Sequence, residues 1–167
     1  MNFNTGDTVM HWNYGIGQIV NLEERDVSGS KALYYAVHVR DMTVWVPADG
    51  KLESRLRFPT PKNRFQQLLA ILSGPSEKLP EDRLERKNRL LELINDSRPE
   101  SLCQIIRDLS AYQRHKTGPL NDNDQIVLKQ SRSTLLGEWG FVLSITHAQA
   151  EFELHRLLTP GPVEMAE

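Results

Sequence analysis

Residues 31–47 read KALYYAVHVRDMTVWVP, and this stretch decides the fold class of the N-terminal part of the chain. Apolar and polar side chains alternate with a period of two, which predicts β-strands at about residues 32–40 and 42–47. Arg40-Asp41 between them indicates a tight turn. Pro47 ends the second strand, because proline has no N–H to donate to a neighbouring strand.

Upstream of this stretch, the pattern predicts two more strands, at about residues 7–12 and 16–25. Gly29 lies in a predicted hairpin turn at residues 27–30, since glycine readily adopts the positive φ of such turns. Gly15-Ile16-Gly17 lacks the other parts of a phosphate-binding loop and favours a β-bulge or a barrel corner. Short antiparallel strands of this size predict a small antiparallel β-barrel or a strongly bent sheet over residues 1–58, and we expect the barrel.

After Pro59-Thr60-Pro61 the apolar period becomes helical. The clearest helical face carries Leu102, Ile105, Ile106, Leu109 and Tyr112. Asn121 or Asp122 can cap a long helix, and Thr146 with Gln149 forms a capping-box pattern before the last one. The sequence therefore predicts an α+β chain, in which a compact all-helical domain at residues 62–160 follows the barrel.

Composition and charge exclude several classes of protein. The 167 residues carry a formal net charge of −2, so any contact with nucleic acid has to come from a local patch. No apolar run approaches the about 18 residues of a transmembrane helix, and the N-terminus lacks a signal-peptide pattern. Cys103 is the only cysteine, which excludes an intrachain disulfide. We therefore expect a cytoplasmic protein with no membrane partner.

The sequence offers no combination of residues that points to catalysis. None of the five histidines lies in a metal-binding motif, and no serine lies in a nucleophile motif. Cys103 lies beside an apolar helix face and is expected to be buried there. We predict no catalytic residue, no metal and no cofactor, and hence a protein that is not an enzyme.

Two features are candidates for binding. Trp45 lies on the face of its strand opposite Val44 and Val46, where it either packs against a helix or the neighbouring domain or forms an exposed anchor for a partner strand. Arg83, Arg86, Lys87 and Arg89 form a basic helical stretch. This stretch is either a solvated helix face or a patch that contacts phosphates, which needs placed cations and no specific sequence.

Several motifs occur in order along the chain, namely Phe3-x-x-Gly6-Asp7-x-Val9, Tyr14-Gly15-Ile16-Gly17-x-Ile19, Tyr34-Tyr35-x-Val37, Met42-Thr43-Val44-x-Val46-Pro47 and Leu56-Arg57. Their order and spacing resemble the CarD/CdnL-like family of bacterial RNA polymerase-binding transcription regulators. Residues 105–109 and 135–138 are similar to the helical domain of that family. The N-terminal module of the family is shared with transcription-repair coupling factors.

The resemblance implies a Tudor-like (SH3-like) barrel that docks on the RNA polymerase β subunit. Arg25 matches a basic residue late in the second strand of the family's barrel. Trp45 stands where the fourth strand often has a second basic residue, which implies a more apolar or shifted contact. We expect partner binding by Arg25, Val44, Trp45 and Val46, with strand-to-strand pairing and charge complementarity.

The resemblance also implies that the helical domain contacts promoter DNA. Well-studied members carry a tryptophan wedge near the start of the helix after residue 80, and this chain has none between residues 79 and 96. We therefore expect weak DNA contact without sequence specificity, through Arg83, Arg86, Lys87 and Arg89. The predicted function is a non-enzymatic regulator that docks on the β subunit and modulates initiation. The alternative is an interaction module that has lost promoter binding and serves a different partner.

Overall fold

The computed structural model describes residues 2–159, which form a five-stranded antiparallel sheet followed by five helices. The strands are β1 (Thr8–His11), β2 (Gly15–Val27), β3 (Ser30–Val39), β4 (Met42–Pro47) and β5 (Leu56–Arg57). The helices are α1 (Lys62–Ser73), α2 (Arg83–Asn95), α3 (Pro99–His115), α4 (Asp122–Leu143) and α5 (His147–Leu158). This arrangement confirms the predicted α+β class and the change from strands to helices after Pro59.

The strand order is β4-β3-β2-β1-β5, with β4 and β5 at the two edges. Within the described residues these edges do not pair with each other, so the predicted closure into a barrel is wrong. The reason lies in β5, which is two residues long and pairs only with β1. The side chain of Arg57 on β5 bonds to Ser97 and Glu138 of the helical region, so this short strand is tied to the helices and not to β4.

The inner face of the sheet carries a compact apolar core. Tyr35, Val37 and Val39 are buried on this face, as the alternating pattern predicts. Leu33 belongs to the same face but is half exposed, because the β2–β3 hairpin extends beyond the core. The bulge in β2 lies between Ile19 and Asn21, which differs from the predicted position at residues 15–17.

Several helices begin after a residue whose side chain caps the helix, and these residues are of types that favour the N-cap position. Asn121 caps α4, since its Oδ1 accepts from the backbone N–H of Asp124 at 2.8 Å. Thr146 and Gln149 form the predicted capping box of α5. Asp82 caps α2 by accepting from the N–H of Glu85 at 3.0 Å. Such caps satisfy backbone donors that have no partner inside the helix.

The helices enclose a second core around α3. Cys103 is buried in it, as predicted, and Trp139 is buried there too. Burial raises the pKa of the Cys103 thiol to about 12, so the thiol is protonated at neutral pH.

Among the helices of residues 2–159, none has the length and apolar character needed to span a bilayer.

The sheet packs directly on α4. Gly15 at the start of β2 lies against Thr134, and Ile16 lies against Gly137. The side chain of Arg40, in the β3–β4 turn, also reaches α4 and donates to Ser133 Oγ at 3.3 Å. These contacts place one end of the sheet on the middle of α4 and leave β4 at the opposite edge from β5.

Candidate protein-docking site

The free edge of β4 is the main candidate site. β4 pairs with β3 on one side, and within residues 2–159 no strand pairs with its other side. The strand at the opposite edge, β5, is only two residues long, and the side chain of its Arg57 bonds to the helical region. An edge strand with unpaired backbone groups is a template for the addition of another strand.

The register shows which backbone groups of β4 point outward. The N–H of Ala48 donates to the carbonyl of Leu33 at 2.9 Å, which makes the adjacent Tyr34–Pro47 pair a non-hydrogen-bonded one. Hydrogen-bonded and non-hydrogen-bonded pairs alternate along an antiparallel ladder. The N–H and C=O groups of Thr43 and Trp45 therefore point away from β3, toward the free edge.

Three side chains form a cluster on the outer face beside this edge. Trp45 is 42% exposed, and its indole N–H donates to a carboxylate oxygen of Glu23. The Arg25 guanidinium lies over the indole, 4.1 Å from the ring centroid, which is a cation–π contact. Arg25 Nη1 is also 3.6 Å from Glu23 Oε1. The cluster holds the indole and the guanidinium in fixed relative positions next to the free backbone groups.

The four predicted partner-binding residues thus divide into two pairs. Arg25 and Trp45 come together on the outer face. Val46 is buried in the core of the sheet, and Val44 is partly buried against it. Their backbone groups bond to β3, so the two valines position the edge and do not present side chains on the outer face.

Glu23 was not identified from the sequence, although it completes this cluster. It lies two residues before Arg25 on β2, and a strand period of two puts both on one face. Its contact with Trp45 depends on the register of three strands, in which Trp45 pairs with Ala36 and Ala36 with Asn21. The period could have indicated Glu23 beside Arg25, but the sequence alone does not give this register.

The predicted basic patch on α2 requires a correction at Arg86. This side chain is only 2% exposed, so it is not part of an exposed patch. Its Nε donates to Asp124 Oδ2 at 2.9 Å, and its Nη1 donates to the carbonyls of Pro80 and Glu81. The guanidinium also lies 4.9 Å from the centroid of the Tyr112 ring. Arg86 therefore joins α2 to α4 inside the helical core.

The other three cations of α2 lie at the surface in different surroundings. Arg83 and Lys87 are exposed and line a shallow groove together with Asp122. Arg89 forms an ion pair with Glu77. Since Arg86 is buried and Arg89 is paired with Glu77, the four residues do not form one continuous cationic surface.

His11 is a buried titratable group at the joint between the sheet and the helices. Its Nδ1 accepts from the backbone N–H groups of Asn13 and Tyr14, both at 3.1 Å. Burial lowers the pKa of His11 to about 4, so the imidazole is neutral at physiological pH.

Across residues 2–159, no three His, Cys, Asp or Glu side chains are grouped so that they could bind a metal ion.

A comparison with protein families identifies the strand region. Residues 3–57 match the family model described as the CarD-like/TRCF RID domain. The match begins just before β1 and ends with β5, so it covers the whole sheet and the exposed β4 edge. No curated protein matches the chain. The sheet of this chain, residues 3–57, is therefore similar to the CarD-like/TRCF RID domain family.

Proposed function

We propose that this chain is a non-enzymatic transcription regulator that docks on the RNA polymerase β subunit and modulates initiation. The observation that carries the proposal is the free β4 edge, where the outward backbone groups of Trp45 adjoin the Trp45–Arg25 cluster. The family of residues 3–57 supports the choice of partner. The sheet would then serve for attachment, and the helical region would act beside the docked sheet.

Docking at this edge combines two kinds of contact. A partner strand that adds to β4 would pair with the N–H and C=O groups of Thr43 and Trp45, which provides affinity that is largely independent of side chains. The exposed indole offers a large, rigid apolar surface of the kind that dominates protein interfaces. Arg25 would complement an acidic residue of the partner, which mainly increases the rate of association.

A proline substitution tests the strand pairing. Thr43→Pro removes an N–H that points to the free edge and leaves the hydrogen bonds between β3 and β4 in place. Binding to the purified β-subunit lobe, measured by biolayer interferometry, should weaken at least tenfold. Thr43→Val keeps the N–H and is the matched control, for which we expect affinity close to that of the original chain. Equal affinity of both variants would exclude pairing at this edge.

A charge reversal tests the cluster. Arg25→Glu should lower the association rate and the affinity, whereas Lys31→Glu makes the same charge change on the exposed β3 end of the hairpin and should change both much less. Trp45→Ala should mainly increase the dissociation rate. If the unsubstituted chain does not bind the β lobe, docking on the polymerase is not its function.

The alternative function is an interaction module that serves a different partner and no longer contacts promoter DNA. The observation in its favour is the loss of exposed, unpaired cations on α2, where Arg86 is buried and Arg89 is paired with Glu77. DNA contact through Arg83, Lys87 and Arg89 stays a prediction. Binding to the β lobe in the experiments above, or its absence, distinguishes the two functions.

A further inference from the structure

A cavity in the helical region has the size and the lining of a small-molecule site. It lies between the loop that joins α1 to α2 and the C-terminal half of α3, and its volume is about 510 Å³. Leu79, Ala111 and Tyr112 form its apolar walls. Sites for small ligands typically measure about 300–1,000 Å³ and combine apolar walls with a few placed polar groups. We call it the α3 cavity.

The loop that forms one wall of the α3 cavity is bound to both neighbouring helices. The backbone N–H of Glu77 donates to Oδ1 of Asp108 on α3 at 3.0 Å. Nη1 of Arg86 on α2 donates to the carbonyls of Pro80 and Glu81, at 3.1 and 3.0 Å. The wall is therefore in place before a ligand binds, which reduces the conformational entropy lost on binding.

Asp108 has one carboxylate oxygen that no group of the described residues uses. The residue is only 2% exposed, and its Oδ1 accepts from the N–H of Glu77 and from Nε of Arg107. Oδ2 accepts from neither. Within residues 2–159, the side-chain atom that is both sealed from solvent and unpartnered is Oε2 of Glu100, so Oδ2 of Asp108 is not sealed. Because Asp108 lines the α3 cavity, Oδ2 is open to a donor in that cavity.

Two lysines without a counter-charge also line the α3 cavity. Among the described residues, neither Lys78 nor Lys116 forms an ion pair. Lys78 follows Glu77, whose N–H binds Asp108. Lys116 Nζ lies 5.7 Å from the ring centroid of Tyr112, which is one helical turn after Asp108. Both cations therefore belong to segments that adjoin the buried carboxylate.

The buried and the open parts of the lining differ in charge. Lys78 is exposed and Lys116 is partly buried, so these cations lie nearer the opening than the buried Asp108. The carboxylate of Glu77 is exposed and paired with Arg89. Glu81 and His115 are exposed as well. A ligand that fits this lining has a donor at its buried end, a negative group at the opening and an apolar part between the walls.

We propose that the α3 cavity binds a free amino acid with an apolar side chain. The ammonium group of the ligand has three donors and no acceptor, and it donates to Oδ2 of Asp108. The carboxylate of the ligand faces Lys78 and Lys116, and its side chain packs against Leu79 and Ala111. The cavity shares no residue with the β4 edge, so this proposal does not depend on polymerase docking.

L-Leucine and two of its analogues test the proposal on the unsubstituted chain. Leucinamide lacks the carboxylate, and N-acetyl-leucine lacks the ammonium group. Backbone ¹H–¹⁵N NMR spectra are recorded at neutral pH with each compound at up to about 10 mM. We expect a dissociation constant for leucine of about 1 mM or lower, and at least about fivefold weaker binding of each analogue. The largest shifts should occur at residues 76–81 and 108–116.

Three results of this titration would overturn the proposal. The first is the absence of shifts with leucine over this concentration range. The second is a set of largest shifts outside residues 76–81 and 108–116, because leucine would then bind elsewhere. The third is an analogue that binds as tightly as leucine, because the cavity would then not recognise both charged groups.

Asp108→Asn tests the contact with the ammonium group. Asparagine keeps an acceptor for the N–H of Glu77 but removes the negative charge, so leucine should bind about tenfold more weakly. Asp122→Asn makes the same change at an exposed position of α4 outside the α3 cavity, and it should leave the affinity unchanged. Equal affinity of the two variants would contradict the role of Asp108.

Lys78→Gln combined with Lys116→Gln tests the contact with the carboxylate at positions that are not part of the buried core. This variant should weaken leucine at least about fivefold and change the binding of leucinamide little, since leucinamide has no carboxylate. It also decides the question if Asp108→Asn does not fold. An unchanged affinity for leucine in the lysine variant would overturn the proposal.

Discussion

Arg57 on β5 and Glu138 on α4 form a bidentate ion pair, with Nη1–Oε2 and Nη2–Oε1 distances of 2.7 and 2.8 Å. Glu138 is fully buried. Its Oε2 also accepts from the backbone N–H and the hydroxyl of Thr60, at 2.9 and 3.0 Å. One carboxylate thus binds the last strand of the sheet and the segment that leads into α1, and it fixes both to the helix on which the sheet packs.

We expect Glu138→Gln to lower the free energy of unfolding by about 3 kcal/mol. The amide has nearly the same shape, but it leaves the Arg57 guanidinium without a negative partner and cannot accept all four hydrogen bonds. Urea denaturation followed by circular dichroism measures the change. Glu151→Gln, at an exposed position of α5, is the control and should stay within about 0.5 kcal/mol. A similarly small effect at Glu138 would show that the pair does not stabilise the fold.

The sequence predicted the elements of this fold well, because local patterns decide them. The alternation over residues 31–47 and the caps at Asn121 and Thr146 act within one strand or one helical turn. Closure of the sheet could not be predicted in the same way. Closure depends on contacts between segments that are distant along the chain, such as the bond from the Arg57 side chain on β5 to Glu138, 81 residues away.

At the candidate site, too, sequence patterns did not predict the contacts between residues that are distant along the chain. Arg25 and Trp45 were each expected to contact a partner, but their stacking depends on a register across three strands. Arg86 was wrongly placed at the surface because it is charged, although it lies four residues before the buried Leu90 and therefore on the same helix face. Its partner Asp124 is distant in sequence, so no local pattern indicates that the charge is paired.

The buried pair of Arg86 and Asp124 leads to a second prediction. Arg86→Met should lower the free energy of unfolding by about 3 to 5 kcal/mol, because it leaves the Asp124 carboxylate buried without a counter-charge. The double variant Arg86→Met with Asp124→Leu should recover most of this loss, since it removes both charges. Arg83→Met on the exposed side of α2 should change stability by less than about 0.5 kcal/mol. Urea denaturation of the four proteins checks the prediction, which fails if the double variant is no more stable than Arg86→Met.

His11 should make stability depend on pH between about 4 and 6.5. In the unfolded chain its pKa returns to 6.5, whereas in the folded protein burial lowers it to about 4. The unfolded state therefore binds a proton first as the pH falls, and the free energy of unfolding decreases through this window by up to about 3 kcal/mol. Above about pH 7.5 the imidazole is neutral in both states and contributes no pH dependence.

The measurement for His11 is urea denaturation at several pH values, compared with His11→Asn. Asparagine keeps an acceptor near the position of Nδ1 but does not titrate, so the difference between the two proteins should shrink as the pH falls from 6.5 to 4. His155→Asn removes an exposed histidine of α5 and should leave the pH profile unchanged. A His11→Asn profile parallel to that of the unsubstituted protein would show that His11 titrates normally.

Gly17 should tolerate no larger residue, although it lies in an otherwise regular part of β2. A Cβ atom there would lie 2.8 Å from the carbonyl oxygen of His38 and 2.8 Å from a methyl carbon of Val39, which is closer than real contacts allow. Gly17→Ala should therefore force β2 away from β3 and lower the free energy of unfolding by about 1 to 3 kcal/mol.

Gly50→Ala is the matched control, because a Cβ at Gly50 meets no atom within 4 Å. In thermal denaturation, we expect Gly17→Ala to lower Tm by several degrees, at about 2–4 °C per kcal/mol for a chain of this size. Gly50→Ala should leave Tm unchanged or raise it slightly, since alanine reduces the conformational entropy of the unfolded chain. If the two substitutions shift Tm equally, the close approach of β2 and β3 at Gly17 does not explain why glycine is needed there.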